Sequence, residues 1–279
     1  VGKINPLKPF CKPLNDAKIF QMLKAGLVSV TYRALSPIEI VNLCVDAQLQ
    51  GIEWGGDIHV PHGDVAIARE VGELTRDHGL EVVCYGSYYH CDNDASVAFE
   101  KVLESAIALQ APLIRVWAGK IDAQDAQTAD FARVLVDLER ISEMASEHHI
   151  GITTEYHGKT LTSNGQAARQ LLDMGAGQFS SLWQPLRRTA NSHAEIEENL
   201  AELDLVTPYL SNVHVYEWRD DEAGNRHAFS LDSSVQWERY IEKLKEIGDE
   251  RFLLLEFVPD DAPKNLKIEA AALRRLLEA

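Results

Sequence analysis

Positive charge is scarce in this 279-residue chain: 27 Lys and Arg stand against 43 Asp and Glu, for a formal charge of −16. Such a surface repels nucleic-acid phosphate and anionic lipid, so neither nucleic acid nor a membrane is expected as a partner. A local basic pocket remains compatible with this balance. Cysteine is scarce too. Cys11, Cys44, Cys84 and Cys91 form no Cys-x-x-Cys pair, and Cys44 and Cys84 lie inside apolar runs. A disulfide framework or zinc-thiolate site is therefore not expected; buried free thiols in a reducing cytoplasm are. No run reaches the roughly 18–20 apolar residues that cross a bilayer. The opening residues, Val1 to Pro6, lack the basic-then-apolar pattern of a secretion signal. Two phosphate-cradling motifs are missing as well. No Gly-x-Gly-x-x-Gly follows the first strand-like segment, and no Gly-x-x-x-x-Gly-Lys-Ser/Thr occurs anywhere.

What the chain does contain is alternation. Short apolar, β-branched segments recur at Leu27–Arg33, Gly51–Gly55, Glu81–Ser87, Leu113–Gly119, Gly151–His157, Phe179–Gln184, Ser211–Trp218 and Arg251–Val258. Helical spacing fills the gaps. Phe131, Val134, Leu135, Leu138, Ile141 and Met144 recur at three- and four-residue steps, as do Trp237, Tyr240, Ile241 and Leu244. Ser36-Pro37 and Asp64 mark helix starts, and Gly51, Gly79 and Gly248 mark helix ends. No Pro/Ser-rich linker interrupts the series. Eight strand-helix units over residues 1–279 predict a single-domain α/β fold, the (β/α)8 TIM barrel, in preference to an open doubly wound sheet. In a barrel the functional site lies at the carboxyl ends of the strands.

Four metal-competent side chains sit at four consecutive strand ends. Side chains alternate along a strand, so placing Val213 and Val215 outward turns His214 inward. Placing Leu255 and Phe257 outward turns Glu256 inward, and Ile152 and Thr154 outward leave Glu155 inward. Gln184 ends the sixth segment. Glu155, Gln184, His214 and Glu256 thus form a mixed oxygen and nitrogen set of formal charge −2, suited to one divalent ion: Mn, Mg, Co or Zn. Glu256 carries the most weight, because it interrupts Leu-Leu-Leu-Glu-Phe-Val and a buried charge needs a partner.

With these residues in view, the chain resembles the sugar phosphate isomerase/epimerase family of xylose isomerase-like TIM barrels. The likeness rests on Gly51-Ile52-Glu53-Trp54-Gly55-Gly56-Asp57, Arg115-Val116-Trp117-Ala118-Gly119 and Thr154-Glu155-Tyr156-His157-Gly158. It continues through Trp183-Gln184-Pro185, Asn212-Val213-His214-Val215 and Leu255-Glu256-Phe257. The resemblance implies one divalent ion held by Glu155, Gln184, His214 and Glu256. It also implies Glu155 and Glu256 as a catalytic acid/base pair acting from opposite faces of the substrate through a cis-enediolate. Strand six departs from the family pattern, where many epimerases carry Asp-x-x-His; this chain has Gln184 and then Arg187. The change weakens metal binding or shifts the preferred ion, and removes the usual contact to a sugar hydroxyl.

The expected partner is therefore a small sugar or sugar-acid substrate, with assembly into a homo-oligomer left open. Glu53, His59, His90, Arg115, Trp117, His157, Arg187 and Arg219 are candidate substrate-binding residues. Arg115 shares the inward face of Trp117, so its guanidinium requires a carboxylate such as Glu155 or Glu53, or an anionic substrate. Lys120, Lys159, Arg187, Arg188, Arg219 and Arg226 fall in the strand-end loops and raise the option of a substrate phosphate or carboxylate. Dehydratases of hydroxy-keto acids or inososes begin with the same proton abstraction and form the alternative. Endonuclease IV shares the fold, but the −16 charge and a single strong His ligand argue against that activity. A non-catalytic sugar-binding barrel is the remaining reading.

Overall fold

The computed structural model describes residues 22–92, 97–186, 192–220, 223 and 226–279. Eight parallel strands close on themselves: β1 (Leu23–Val28), β2 (Gly51–Gly55), β3 (Glu81–His90), β4 (Leu113–Trp117), β5 (Gly151–Thr154), β6 (Ser180–Trp183), β7 (Leu210–Val215) and β10 (Arg251–Leu255). Neighbours follow chain order, and β10 returns to β1 through the register Leu23↔Arg251 to Leu27↔Leu255. A small antiparallel hairpin of β8 (Trp218–Asp220) and β9 (Arg226–Ala228) rises after β7. The helices are α1 (Pro37–Asp46), α2 (Val65–Asp77), α3 (Phe99–Leu109), α4 (Thr128–Ser146), α5 (Gly165–Met174), α6 (His193–Val206), α7 (Val235–Ile247) and α8 (Pro263–Glu278). The fold is a (β/α)8 TIM barrel.

Local chemistry sets the helix ends. Asp64 accepts a hydrogen bond from the Ile67 amide at 3.1 Å and opens α2. The Ser36 amide donates to Glu39 at 2.8 Å at the start of α1. Gly248 closes α7 with φ +76°, a value that Gly adopts without steric cost. Gly51 begins β2, as the segment Gly51–Gly55 predicts, and is not itself the residue that ends α1. The left-handed residue after α1 is Gln48, φ +57°. Gly51 is needed for closeness: a Cβ there would stand 2.5 Å from Val83 and 2.8 Å from Phe252.

The first strand also differs from expectation. It covers Leu23–Val28 rather than Leu27–Arg33, and Ser29–Tyr32 forms a 3-10 turn. Ser29 leaves the ladder because its hydroxyl accepts the Gly55 amide hydrogen bond at 2.9 Å. The apolar alternation past Val28 therefore belongs to a turn packed on the barrel mouth. The segments of β4, β5, β6, β7 and β10 also stop short of their expected ends, whereas β2 keeps Gly51–Gly55 and β3 runs on to His90. Glu155, Gln184 and Glu256 each follow directly on the last residue of β5, β6 and β10.

Most apolar side chains lie between the barrel and its helices, Trp54, Trp183, Trp237 and Tyr240 among them. A smaller apolar cluster of Val28, Val30, Val83, Cys84, Phe252 and Leu254 packs separately from that layer. Val213, Val215 and Leu255 join the outer layer, so the period of two turns His214 and Glu256 inward. Phe257 breaks that pattern. It was expected to face the helices, yet its φ of +56° bends the chain and puts its ring in the wall of the strand-end pocket. Cys44, Cys84 and Cys91 are buried free thiols; Cys11 lies outside the described residues. Among the described residues no helix is long and apolar enough to cross a membrane.

Candidate active site

At the carboxyl ends of the strands, Glu155, Gln184 and Glu256 line one cavity of about 250 Å³ with six rings: Tyr88, Trp117, His157, Tyr216, Trp218 and Phe257. A larger groove of about 600 Å³ lies beside α1 and α2, lined largely by aliphatic residues such as Ile38, Ile58 and Ile67. The smaller cavity is the site, because three of the four expected donors share its wall and the fourth touches Glu256. His214 projects from β7, is fully buried, and has Nδ1 3.2 Å from Glu256 Oε2.

A buried chain of alternating charge runs beneath the cavity. Glu155 Oε2 accepts from Arg115 Nη1. Arg115 Nε donates to Glu53 Oε1 at 2.7 Å. Glu53 Oε2 lies 3.2 Å from His214 Nε2. Burial works against each charge here, and the neighbours decide the balance. The carboxylates of Glu256 and Glu53 outweigh the burial of His214 and lift its pKa to about 10. Burial would raise the Glu53 carboxyl, but Arg115 and His214 bring it down to about 2. Arg115, opposed by burial, is held charged by Glu155 and Glu53.

The expected substrate contacts are distributed unevenly. Trp117 and His157 line the cavity with their rings stacked at 4.6 Å. His90 packs edge-on against Trp117 at 4.8 Å, and its Nδ1 is 3.0 Å from the Gly119 carbonyl. Glu53 and Arg115 sit below the cavity, 1% and 2% exposed, and neither belongs to its wall. His59 falls in the α1–α2 groove, with Nδ1 3.0 Å from Ser29 Oγ. Arg219, on β8, donates to Glu217 at 3.3 Å and lies 4.5 Å from the Phe229 ring centre, away from the cavity wall. Arg187 lies outside the described residues.

Sequence reasoning passed over Tyr88, Tyr216, Trp218 and Phe257 as site residues. Tyr88 has φ +55° in a stretch where the β3–β4 register shifts, and its ring covers the Arg115 guanidinium at 5.1 Å. The hairpin brings in Trp218, which stacks between Tyr216 at 4.8 Å and Phe257 at 4.7 Å. Of these, only Tyr88 lies past a predicted strand end, one place after Ser87; Tyr216, Trp218 and Phe257 fall inside segments read as strand, so no such signal was available for them.

The donor set suits a divalent ion in its chemistry. Gln184 spends its amide nitrogen on the Tyr156 carbonyl at 2.7 Å, which leaves the amide oxygen as the ligating atom. His214 Nδ1 is buried and makes no hydrogen bond, while its other nitrogen faces a carboxylate. That orphaned nitrogen beside Glu256 is what a metal-ligating imidazole requires. Among the described residues no three His, Cys, Asp or Glu side chains form a ready-made cluster. Arg115 holds Glu155 on one side and His214 meets Glu256 on the other, so a rearrangement of side chains would accompany binding.

Comparison with known proteins agrees with the architecture. The sequence model of the family described as Xylose isomerase-like TIM barrel matches residues 41–276. No curated protein matches the chain in sequence. The crystal structure of the probable 3-DHS dehydratase AsbF of Bacillus anthracis superposes with TM-score 0.73 at 20% identity, over 90% of this chain and 98% of that one. The IOLI protein with a bound zinc atom gives TM-score 0.70 at 14% identity, over 91% and 98%. D-psicose 3-epimerase in the presence of D-fructose gives 0.68 at 14%, over 92% and 100%. At these identities the three show a shared fold.

Proposed function

The chain belongs to the xylose isomerase-like TIM barrel family, and on that premise we propose that it is a divalent-metal-dependent isomerase or epimerase of a sugar or related polyhydroxy ketone. The observation that carries this reading is the convergence of Glu155, Gln184 and Glu256 on one cavity of about 250 Å³, with His214 in contact with Glu256. Glu155, Gln184, His214 and Glu256 would hold the ion, Mn, Mg, Co or Zn, since three oxygen donors and one imidazole without thiolate suit these metals. When bound, the ion supplies positive charge next to the carbonyl and hydroxyl oxygens of the substrate.

The protein's own groups handle the proton. Glu256, directly after β10, takes the proton from the carbon beside the carbonyl. Glu155, directly after β5, enters the step protonated and gives its proton to the carbon from the facing side, ending as the carboxylate while Glu256 ends as the acid; the two exchange roles in the reverse direction. The substrate passes through a cis-enediolate. Arg115 fixes the Glu155 carboxylate from below. Trp117 and His157 offer a stacked flat wall to a sugar face, and Tyr216, Trp218 and Phe257 exclude water from the other side. Among the described residues no Lys or Arg lines the cavity, which favours an uncharged polyhydroxy ketone over a sugar phosphate.

The test is metal analysis followed by a screen of ketoses, inososes, sugar phosphates and keto acids in deuterium oxide. Deuterium should enter the carbon next to the carbonyl of one substrate class, with no loss of water. Glu256→Gln should lower that exchange by roughly 10²–10⁴-fold and leave the circular dichroism unchanged. Exchange at the wild-type rate in this variant would overturn the assignment. A product absorbing in the ultraviolet would reassign the protein as a dehydratase.

A further inference from the structure

Glu53 sits too deep to meet a substrate, yet both of its oxygens are committed. Oε1 accepts from Arg115 Nε at 2.7 Å, and Oε2 lies 3.2 Å from His214 Nε2. A carboxylate deprotonated by Arg115 only accepts hydrogen bonds, so the facing Nε2 must carry the hydrogen. When a cation displaces the ring's other proton, the lone pair it meets is the one on Nδ1. That is the buried nitrogen without a hydrogen bond, 3.2 Å from Glu256. We propose that Glu53 is a positioning residue: it fixes the tautomer and ring plane of His214 so that Nδ1 is the atom offered to a divalent cation. The inference rests on the metal-site reading above and extends it to a residue that touches neither ion nor substrate.

The sheet is built around this side chain. The β2–β3 ladder shifts register between Ile52 and Glu53. Across the ladder, Gly86 leaves a hollow that only a hydrogen fits. A Cβ there would stand 2.6 Å from Arg115 Nη2 and 2.9 Å from Glu53 Oε1. The Tyr88 ring closes over the guanidinium at 5.1 Å. Arg115 therefore cannot swing away, and Glu53 is held between one fixed cation and one imidazole. Because Arg115 also grips Glu155, the same anchor sets the carboxylate on the far side of the cavity. An ion pair that served only to neutralise Arg115 would not need its second oxygen on His214.

Two measurements with Zn²⁺ as the probe decide the matter. Calorimetric titration of the full chain should show Glu53→Gln binding Zn²⁺ about 10–100-fold more weakly than wild type. The melting temperature of the metal-free variant controls for folding. Nitrogen NMR of the ¹⁵N-His-labelled, zinc-loaded wild type should show His214 with hydrogen on Nε2 and zinc on Nδ1, a signature that a merely structural ion pair does not dictate. Wild-type affinity retained within twofold in Glu53→Gln, or hydrogen found on Nδ1, overturns the proposal while leaving the metal site standing. If wild type fails to bind Zn²⁺, Mn²⁺, Mg²⁺ and Co²⁺ alike, the metal-site reading falls and this proposal with it. Should Glu53→Gln not fold, the NMR result on wild type decides alone.

Discussion

His214 carries two opposing demands. In the metal-free protein Glu256 and Glu53 overcome its burial and raise its pKa from the usual 6.5 to about 10. A group raised on folding stabilises fully below its unfolded value and loses that contribution as pH climbs through the folded one. The His214 contribution is therefore complete below about pH 6.5 and lost toward pH 10. Glu53 has the opposite sign: lowered to about 2, it stabilises above its ordinary 4.5 and loses this as pH falls toward 2. Metal-free wild type should lose stability between pH 6.5 and 10, and His214→Gln should flatten that slope when both are unfolded in urea. A divalent ion must displace the proton from Nδ1, so binding at pH 7 should release about one proton. Calorimetry in two buffers of different ionisation enthalpy reads this directly. An apparent binding heat independent of the buffer would contradict it.

At the level of strands and helices, the period of two carries most of the legible information. Ile152, Val213, Val215 and Leu255 could be placed in the outer layer from their alternation alone, and His214 and Glu256 followed. Glu256 stood out because no apolar strand keeps a carboxylate without reason. The places where a ladder stops were harder to read. Phe257 turns inward through a positive φ, and the β1 turn depends on Ser29 reaching the Gly55 amide. Both features are set by contacts far away in sequence. Gly86 was unreadable for the same reason, since its purpose appears only when Arg115 of β4 lies across from it. This yields a test on β3. Gly86→Ala places a methyl against Arg115 Nη2 and Glu53 Oε1, two groups that cannot withdraw. The variant should lose about 1–3 kcal/mol in urea unfolding, as overpacked interiors do. The barrel's far side supplies the control. Gly79, just before β3, has φ +75° and open space around it, so Gly79→Ala tests backbone conformation without a clash.

Over the whole molecule, the charge of −16 sets the long-range field. The barrel topology was legible because eight apolar segments, separated by helical spacing and without a linker, allow few other arrangements. The charge says nothing about that fold, but it does say how the fold responds to salt. Some surface acids are paired, as when Lys24 reaches both Glu81 at 2.9 Å and Glu250 at 2.6 Å. Exposed pairs of this kind contribute little, and salt screens them. The excess of acids over bases leaves net self-repulsion that compact packing makes worse than it is in the unfolded chain. Screening should then stabilise the native state more than the loss of surface pairs destabilises it. The buried chain from Glu155 to His214 lies out of reach of mobile ions and should not respond. In buffer free of divalent metal, raising NaCl from about 20 mM to about 500 mM shortens the screening length from roughly 20 Å to roughly 4 Å. The melting temperature should rise by a few degrees over that range, with most of the gain at the low end. A fall across the same range would mean that the surface pairs outweigh the repulsion among unpaired acids, and that the acidic excess is already offset by their arrangement.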